Sequence, residues 1–135
     1  MGMGNYANSA YVVDENFVRD NAKKELDALI NLLEENGMSL FDFMVGISDD
    51  IPINEMNNGI DDVDITDKVD KCWLDLKETF TKNTGLELYI VYHEKDDRGD
   101  DIDGAVWCVD GVMDYTPAGK KYKDKITYST WTVFG

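Results

Sequence analysis

Apolar residues recur every three or four positions from Phe17 onward. Phe17, Val18, Ala22, Leu26, Leu29, Ile30 and Leu33 form one stripe, the 3.6-residue period of an amphipathic helix. The spacing predicts a helix over 15–35. Asp14 suits its N-cap, Glu15 suits the positive end of its dipole, and Asn36-Gly37 offers a left-handed stop. Ser39-Leu40-Phe41-Asp42 then reads as a capping box opening a short helix over 40–46. Phe41, Phe43 and Val45 also fit an alternating strand; the helix is the preferred reading. Pro52, Asn57-Asn58-Gly59 and a run of aspartates make 48–65 a loop, with Ile51, Ile53, Ile60 and Val63 expected to pin it to the body. A second helix is expected over 67–82, capped by Thr66. Val69, Cys72, Trp73, Leu76 and Phe80 share one of its faces, and Asn83 and Gly85 end it.

Beyond Gly85 the period falls from 3.6 to 2. Leu86, Leu88, Ile90 and Tyr92 alternate with Glu87, Tyr89, Val91 and His93, which predicts a strand over 86–94. Further strands are expected over 104–110 and 125–134, the last rich in Thr, Tyr and Trp. Asp96 to Asp103 reads as a turn, and 111–124 as a longer loop with Pro117 and Gly119. Three sequential strands form an antiparallel meander by default. The expected fold is α+β, with two main helices packed on a three-stranded antiparallel sheet. Residues 1–10 are expected as a flexible N-terminus and 11–135 as a single domain.

A length of 135 residues suits one core, and a hydrophobic fraction of 43% is too high for a disordered acidic tail. No run of 18 apolar residues occurs, and Met1 to Tyr11 lack a basic segment followed by an apolar one. A cytoplasmic location is expected, with Cys72 and Cys108 as buried thiols and not a disulfide.

Charge changes the picture most. The formal net charge is −15, and 15 acids face three bases in residues 1–67, against 13 acids and ten bases in 68–135. Between Lys24 and Lys68 there is no lysine or arginine. That stretch holds Glu25, Asp27, Glu34, Glu35, Asp42, Asp49, Asp50, Glu55, Asp61, Asp62, Asp64 and Asp67. Such a field repels nucleic acid and anionic membrane and attracts basic surfaces.

Candidate chemistry is sparse. The chain has no phosphate-binding glycine loop, no dinucleotide fingerprint and no paired-cysteine zinc spacing. No cofactor is expected. His93, the only histidine, sits beside Glu94 and could act as a general base with Cys72 or Cys108 as nucleophile; the plainer reading is a histidine at a strand end. Asp96, Asp97, Asp100, Asp101 and Asp103 form a secondary acidic loop around Arg98-Gly99. The spacing of its acids fails the calcium-loop template, so a solvated hairpin turn is preferred and no metal is expected. Asp67 complements a helix N-terminus, but Asp61, Asp62 and Asp64 close by repel one another. Lys120, Lys121, Lys123 and Lys125 interleave with Tyr122 and are read as a solvated strand edge, with pairing to the acidic half as an alternative. Trp73, Trp107 and Trp131 are expected in the core.

In composition and size the chain resembles the small acidic DNA-mimicking anti-defence proteins that phages encode against restriction or CRISPR nucleases. The resemblance implies a non-enzymatic inhibitor that presents dense carboxylates to a basic, nucleic-acid-binding groove. The expected contacts are Glu34, Glu35, Asp42, Asp49, Asp50, Glu55, Asp61, Asp62, Asp64 and Asp67, with no direct binding of nucleic acid or membrane. An immunity protein or antitoxin that shields a basic nuclease toxin has the same physics. A small hydrolase using His93 or a carboxylate-bound metal is the third reading.

Overall fold

A computed structural model describes residues 5–56, 59–93, 104–111 and 116–134. In chain order its elements are β1 (Asn5–Val13), α1 (Glu15–Glu35), α2 (Leu40–Ser48), α3 (Val63–Thr84), β2 (Glu87–His93), β3 (Gly104–Asp110), α4 (Pro117–Lys121) and β4 (Thr127–Phe134). Single 3₁₀ turns occupy Ile53–Glu55 and Lys123–Lys125. The α+β class stands as the sequence predicts.

The sheet has four strands in the order β2-β3-β1-β4, all antiparallel. The expected three-stranded meander is therefore incorrect. β1 separates β3 from β4, and residues expected as a loose end enter the sheet. Tyr11 pairs with Val109 on one side, and Asn5 to Val12 pair with Phe134 to Thr127 on the other. Tyr6 and Tyr11-Val12-Val13 carry strand propensity, but Ala7, Asn8, Ser9 and Ala10 between them do not, and the ladder to β4 alone holds that stretch in the sheet.

Alternation sorts the sheet into two faces. Val13, Leu88, Ile90, Trp107 and Val109 join the main core beneath the helices, with Tyr11 packed against it. Ala10 and Cys108 point to the opposite face, flanked by Val12, Val91 and Val106. The helix α1 supplies Phe17, Val18, Ala22, Leu26, Leu29 and Leu33, the expected stripe less the half-buried Ile30. Asp14 caps it by accepting from Phe17 N–H at 2.9 Å. Its backbone breaks at Ala22 (φ −157°, ψ 47°), and beside that kink Asn83 Nδ2 donates to the Asn21 carbonyl at 2.6 Å. Helices can kink where an outside group enters the hydrogen-bond ladder.

That contact and the edge-to-face pair Phe17–Phe80 (5.7 Å) set the end of α3 beside the start of α1. The two helices pack antiparallel, which turns the N-terminus of α3 toward the C-terminus of α1. Trp73, half-buried, meets Phe43 at 6.0 Å and the buried Trp107 at 6.2 Å. Both belong with the core as expected, while the side chain of Trp131 lies outside the described residues.

Several limits differ from expectation: α3 ends at Thr84 and not 82, β2 spans Glu87–His93 and not 86–94, and β4 starts at Thr127 and not 125. The helix α2 runs two residues further than 40–46. Residues 117–121, expected as loop, form α4 with Thr116 as N-cap. The second helix begins at Val63, not 67, because Asp62 caps it; Thr66 lies inside, its hydroxyl donating to the Val63 carbonyl at 2.8 Å.

Candidate acidic interface

The ends of α1 and α2 carry the least expected chemistry. A Schellman turn closes α1: Gly37 N–H donates to the Glu34 carbonyl (3.1 Å) and Met38 N–H to that of Leu33 (3.0 Å). Gly37 adopts φ 80° there. The same motif closes α2, with Asp50 N–H donating to Ile47 (3.2 Å) and Ile51 N–H to Gly46 (2.9 Å). In α2, however, the left-handed position belongs to Asp50 at φ 56°, the one non-glycine residue at positive φ among the described residues.

A helix C-terminus bears partial negative charge, so cations there stabilise and carboxylates destabilise. Neither α1 nor α2 has a basic residue in its last turn. Glu34 and Glu35 finish α1, Asp49 and Asp50 follow the last residue of α2, and all four are exposed. Each opposes the helix dipole by roughly 0.3–1 kcal/mol. None joins an ion pair among the described residues, whose carboxylate partners are Glu15, Asp27 and Asp75.

The aspartates at the start of α3 are differently placed. Asp62 accepts from Asp64 N–H (2.9 Å) and Ile65 N–H (3.3 Å), and Asp64 sits in the first helical turn. Both complement the positive end of α3, so their crowding has a structural cause that the expected start at 67 concealed. Asp42, half-buried in the first turn of α2, has the same favourable position; its N–H donates to Ser39 Oγ at 3.1 Å. Glu55 lies exposed on the 3₁₀ turn, and Asp61 and Asp67 are exposed at the α3 start. The antiparallel packing of α1 and α3 and the short α1–α2 link bring these groups to one end of the helical layer.

Between the end of α2 and the start of α3 lies a cleft of about 400 Å³. One wall is Ile47, Ile51 and Ile53; the other is Val63, Thr66 and Asp70, with Asp61 beside it. The positions 63, 66 and 70 share a helix face by i, i+3, i+7 spacing. Val63, expected to pin the loop to the body, is instead 70% exposed. Ile53 and Ile60 do pin it, at 8% and 5%. Sequence reasoning missed Asp70 because it follows Lys68, outside the base-free stretch. The helical spacing from Val63 to Asp70 was the available signal.

The lysines lie at the opposite end. Tyr122 hydroxyl donates to the Asn83 carbonyl at 3.4 Å, and its ring meets Phe17 at 5.2 Å. Lys120, Lys121, Lys123 and Lys125 are exposed there, on α4 and the 3₁₀ turn, not along a strand edge. Among the described residues they make no ion pair with the acidic end. The ion pairs that do form lie along helices, as with Lys23–Asp27 at 2.8 Å and Lys71–Asp75 at 3.1 Å. Arg19 reaches both Glu15 and Asp27. The hydrogen bond from Lys23, aided by Arg19, holds the Asp27 carboxyl below its usual range.

His93 ends β2, paired through its backbone with Gly104. Its side chain, Glu94 and Asp96, Asp97, Asp100, Asp101 and Asp103 lie outside the described residues. Cys72 is half-buried, less than expected, and Cys108 is buried; both are free thiols. Among the described residues no three His, Cys, Asp or Glu side chains gather as metal ligands, and no helix is long and apolar enough to cross a membrane. Compared with protein-family models, curated proteins and solved structures, the chain finds no match in any of the three.

Proposed function

We propose that this protein is a non-enzymatic acidic inhibitor that covers a basic, nucleic-acid-binding surface of a partner protein, in the manner of phage anti-defence DNA mimics. One observation carries the reading: Glu34, Glu35, Asp49 and Asp50 occupy helix C-termini, where carboxylates oppose the fold. Acids kept for solubility alone fit equally well at helix N-termini or beside lysines. A ligand whose own charge is positive gives these four positions a use. Ordered carboxylates at one end of the helical layer can stand in for the phosphates such a surface binds, and attraction at a distance speeds their encounter.

The test is competition with duplex DNA for the binding sites of purified basic nucleases, drawn from defence systems and from toxins. The protein is expected to displace DNA, with displacement weakening steeply between about 50 and about 200 mM salt. The Glu34→Gln, Glu35→Gln, Asp49→Asn, Asp50→Asn variant is expected to lose it by tenfold or more while folding normally. Displacement that ignores salt, or none from any nuclease of the panel, overturns the reading.

A further inference from the structure

The geometry points to a specific anchor on that surface: the cleft between α2 and α3 receives one arginine side chain of the basic partner. The inference rests on the acidic-inhibitor reading and adds to it where the partner's key residue goes. Opposite-charge attraction alone needs no cavity, yet here a cleft opens within the acidic end, with isoleucines on one side and Val63 beside Thr66 on the other. Ile47, Ile51 and Ile53 face Val63, which is 70% exposed and fills no core position. Asp61 and Asp70, both exposed, add negative charge to the same lining.

A wall of isoleucine and valine beside two carboxylates complements an aliphatic stem ending in a cation. Arginine suits it better than lysine. Its guanidinium is weakly hydrated, so it loses less on leaving water, and its planar fork can serve two carboxylates at once. A fully apolar ligand would leave Asp61 and Asp70 facing it, and an anion would be repelled. Charge complementarity therefore selects the occupant.

The experiment titrates the ¹⁵N-labelled full chain with three blocked tripeptides, Gly-Arg-Gly, Gly-Lys-Gly and Gly-citrulline-Gly, at low salt. The arginine peptide is expected to give saturable amide shifts concentrated at Ile47, Ile51, Val63 and Asp70. It should bind several-fold more tightly than the lysine peptide and at least tenfold more tightly than the uncharged citrulline one. Val63→Lys, at an exposed position, places a cationic side chain in the cleft and is expected to abolish those shifts. Asp70→Asn is expected to weaken binding severalfold, and the dispersion of each variant's spectrum checks its fold.

Arginine shifts spread evenly over Glu34, Glu35, Asp49 and Asp50, and indifferent to Val63→Lys, overturn the anchor. Equal binding of citrulline and arginine also overturns it. In either case DNA displacement in the competition assay still stands for the broader reading. If displacement fails as well, the inhibitor reading falls with the anchor.

Discussion

Asp50 holds a left-handed backbone at the end of a helix, where glycine meets no steric cost and a carboxylate faces partial negative charge. Asp50→Gly is expected to stabilise the fold by about 0.5–1 kcal/mol, read as a rise in thermal midpoint, while weakening partner binding. A lower midpoint would show that the Asp50 side chain supports the α2 end. The matching position in α1 already has its glycine, so Gly37→Ala should cost about 1 kcal/mol by the same measurement. The two thiols are separable in the same residue-level terms. Burial pushes Cys108 up to about 12 and raises Cys72 as well. Because the folded Cys108 value lies above the unfolded one, its contribution is fully present below the ordinary thiol range (about 8.5) and is lost as pH rises through about 12. At pH 8 a thiol reagent should modify Cys72 slowly and Cys108 only on unfolding; rapid double labelling of the native protein would contradict this burial.

Among the elements, those with a strong period were legible. The stripe from Phe17 to Leu33 marked α1 to the residue, and alternation from Leu88 to Tyr92 marked β2. What escaped depended on partners remote in sequence. The strand β1 reads weakly because its ladders, not its composition, hold it. The first turn of α3 was hidden because Val63 faces outward and breaks the apolar pattern, so Thr66 looked like the first usable cap. Asp62→Ala should therefore cost about 1 kcal/mol by chemical denaturation, whereas Thr66→Ala, which removes only an internal hydroxyl, should cost less. The reverse order would restore the later helix start. The loop between α2 and α3 has its own keystone. A Cβ on Gly59 would overlap the Asn54 carbonyl oxygen, which is backbone and cannot swing away. Gly59→Ala should destabilise by roughly 1–3 kcal/mol, and amide exchange should show the cleft walls loosened. The candidate site was legible as a carboxylate run but not as geometry. Charge counting could not separate acids that cap a helix, such as Asp62, from acids set against one, such as Asp49.

Among the described residues, carboxylates without lysine partners gather at one end of the helical layer while lysines of α4 and the following turn mark the other. Self-repulsion within the acidic end is a cost that dissolved salt screens, with a Debye length near 10 Å at 0.1 M. The ion pairs among the described residues lie along helices at exposed or half-exposed positions, where each contributes little. The thermal midpoint should therefore rise as sodium chloride goes from about 10 to about 500 mM, measured by calorimetry. A falling midpoint would mean that exposed ion pairs outweigh repulsion.

The central place of β1 has a consequence for how the chain is made. Its ladder partners lie in β3 and β4, roughly a hundred residues downstream, so β1 must wait for strands synthesised later. At a ribosomal rate of about 5–20 residues per second that delay is on the order of ten seconds. Meanwhile α1, α2 and α3 emerge in order, and contacts between α1 and α3 can form before the partners of β1 are made. With its longest-range pairs closing last, folding should be slow for a chain of this size.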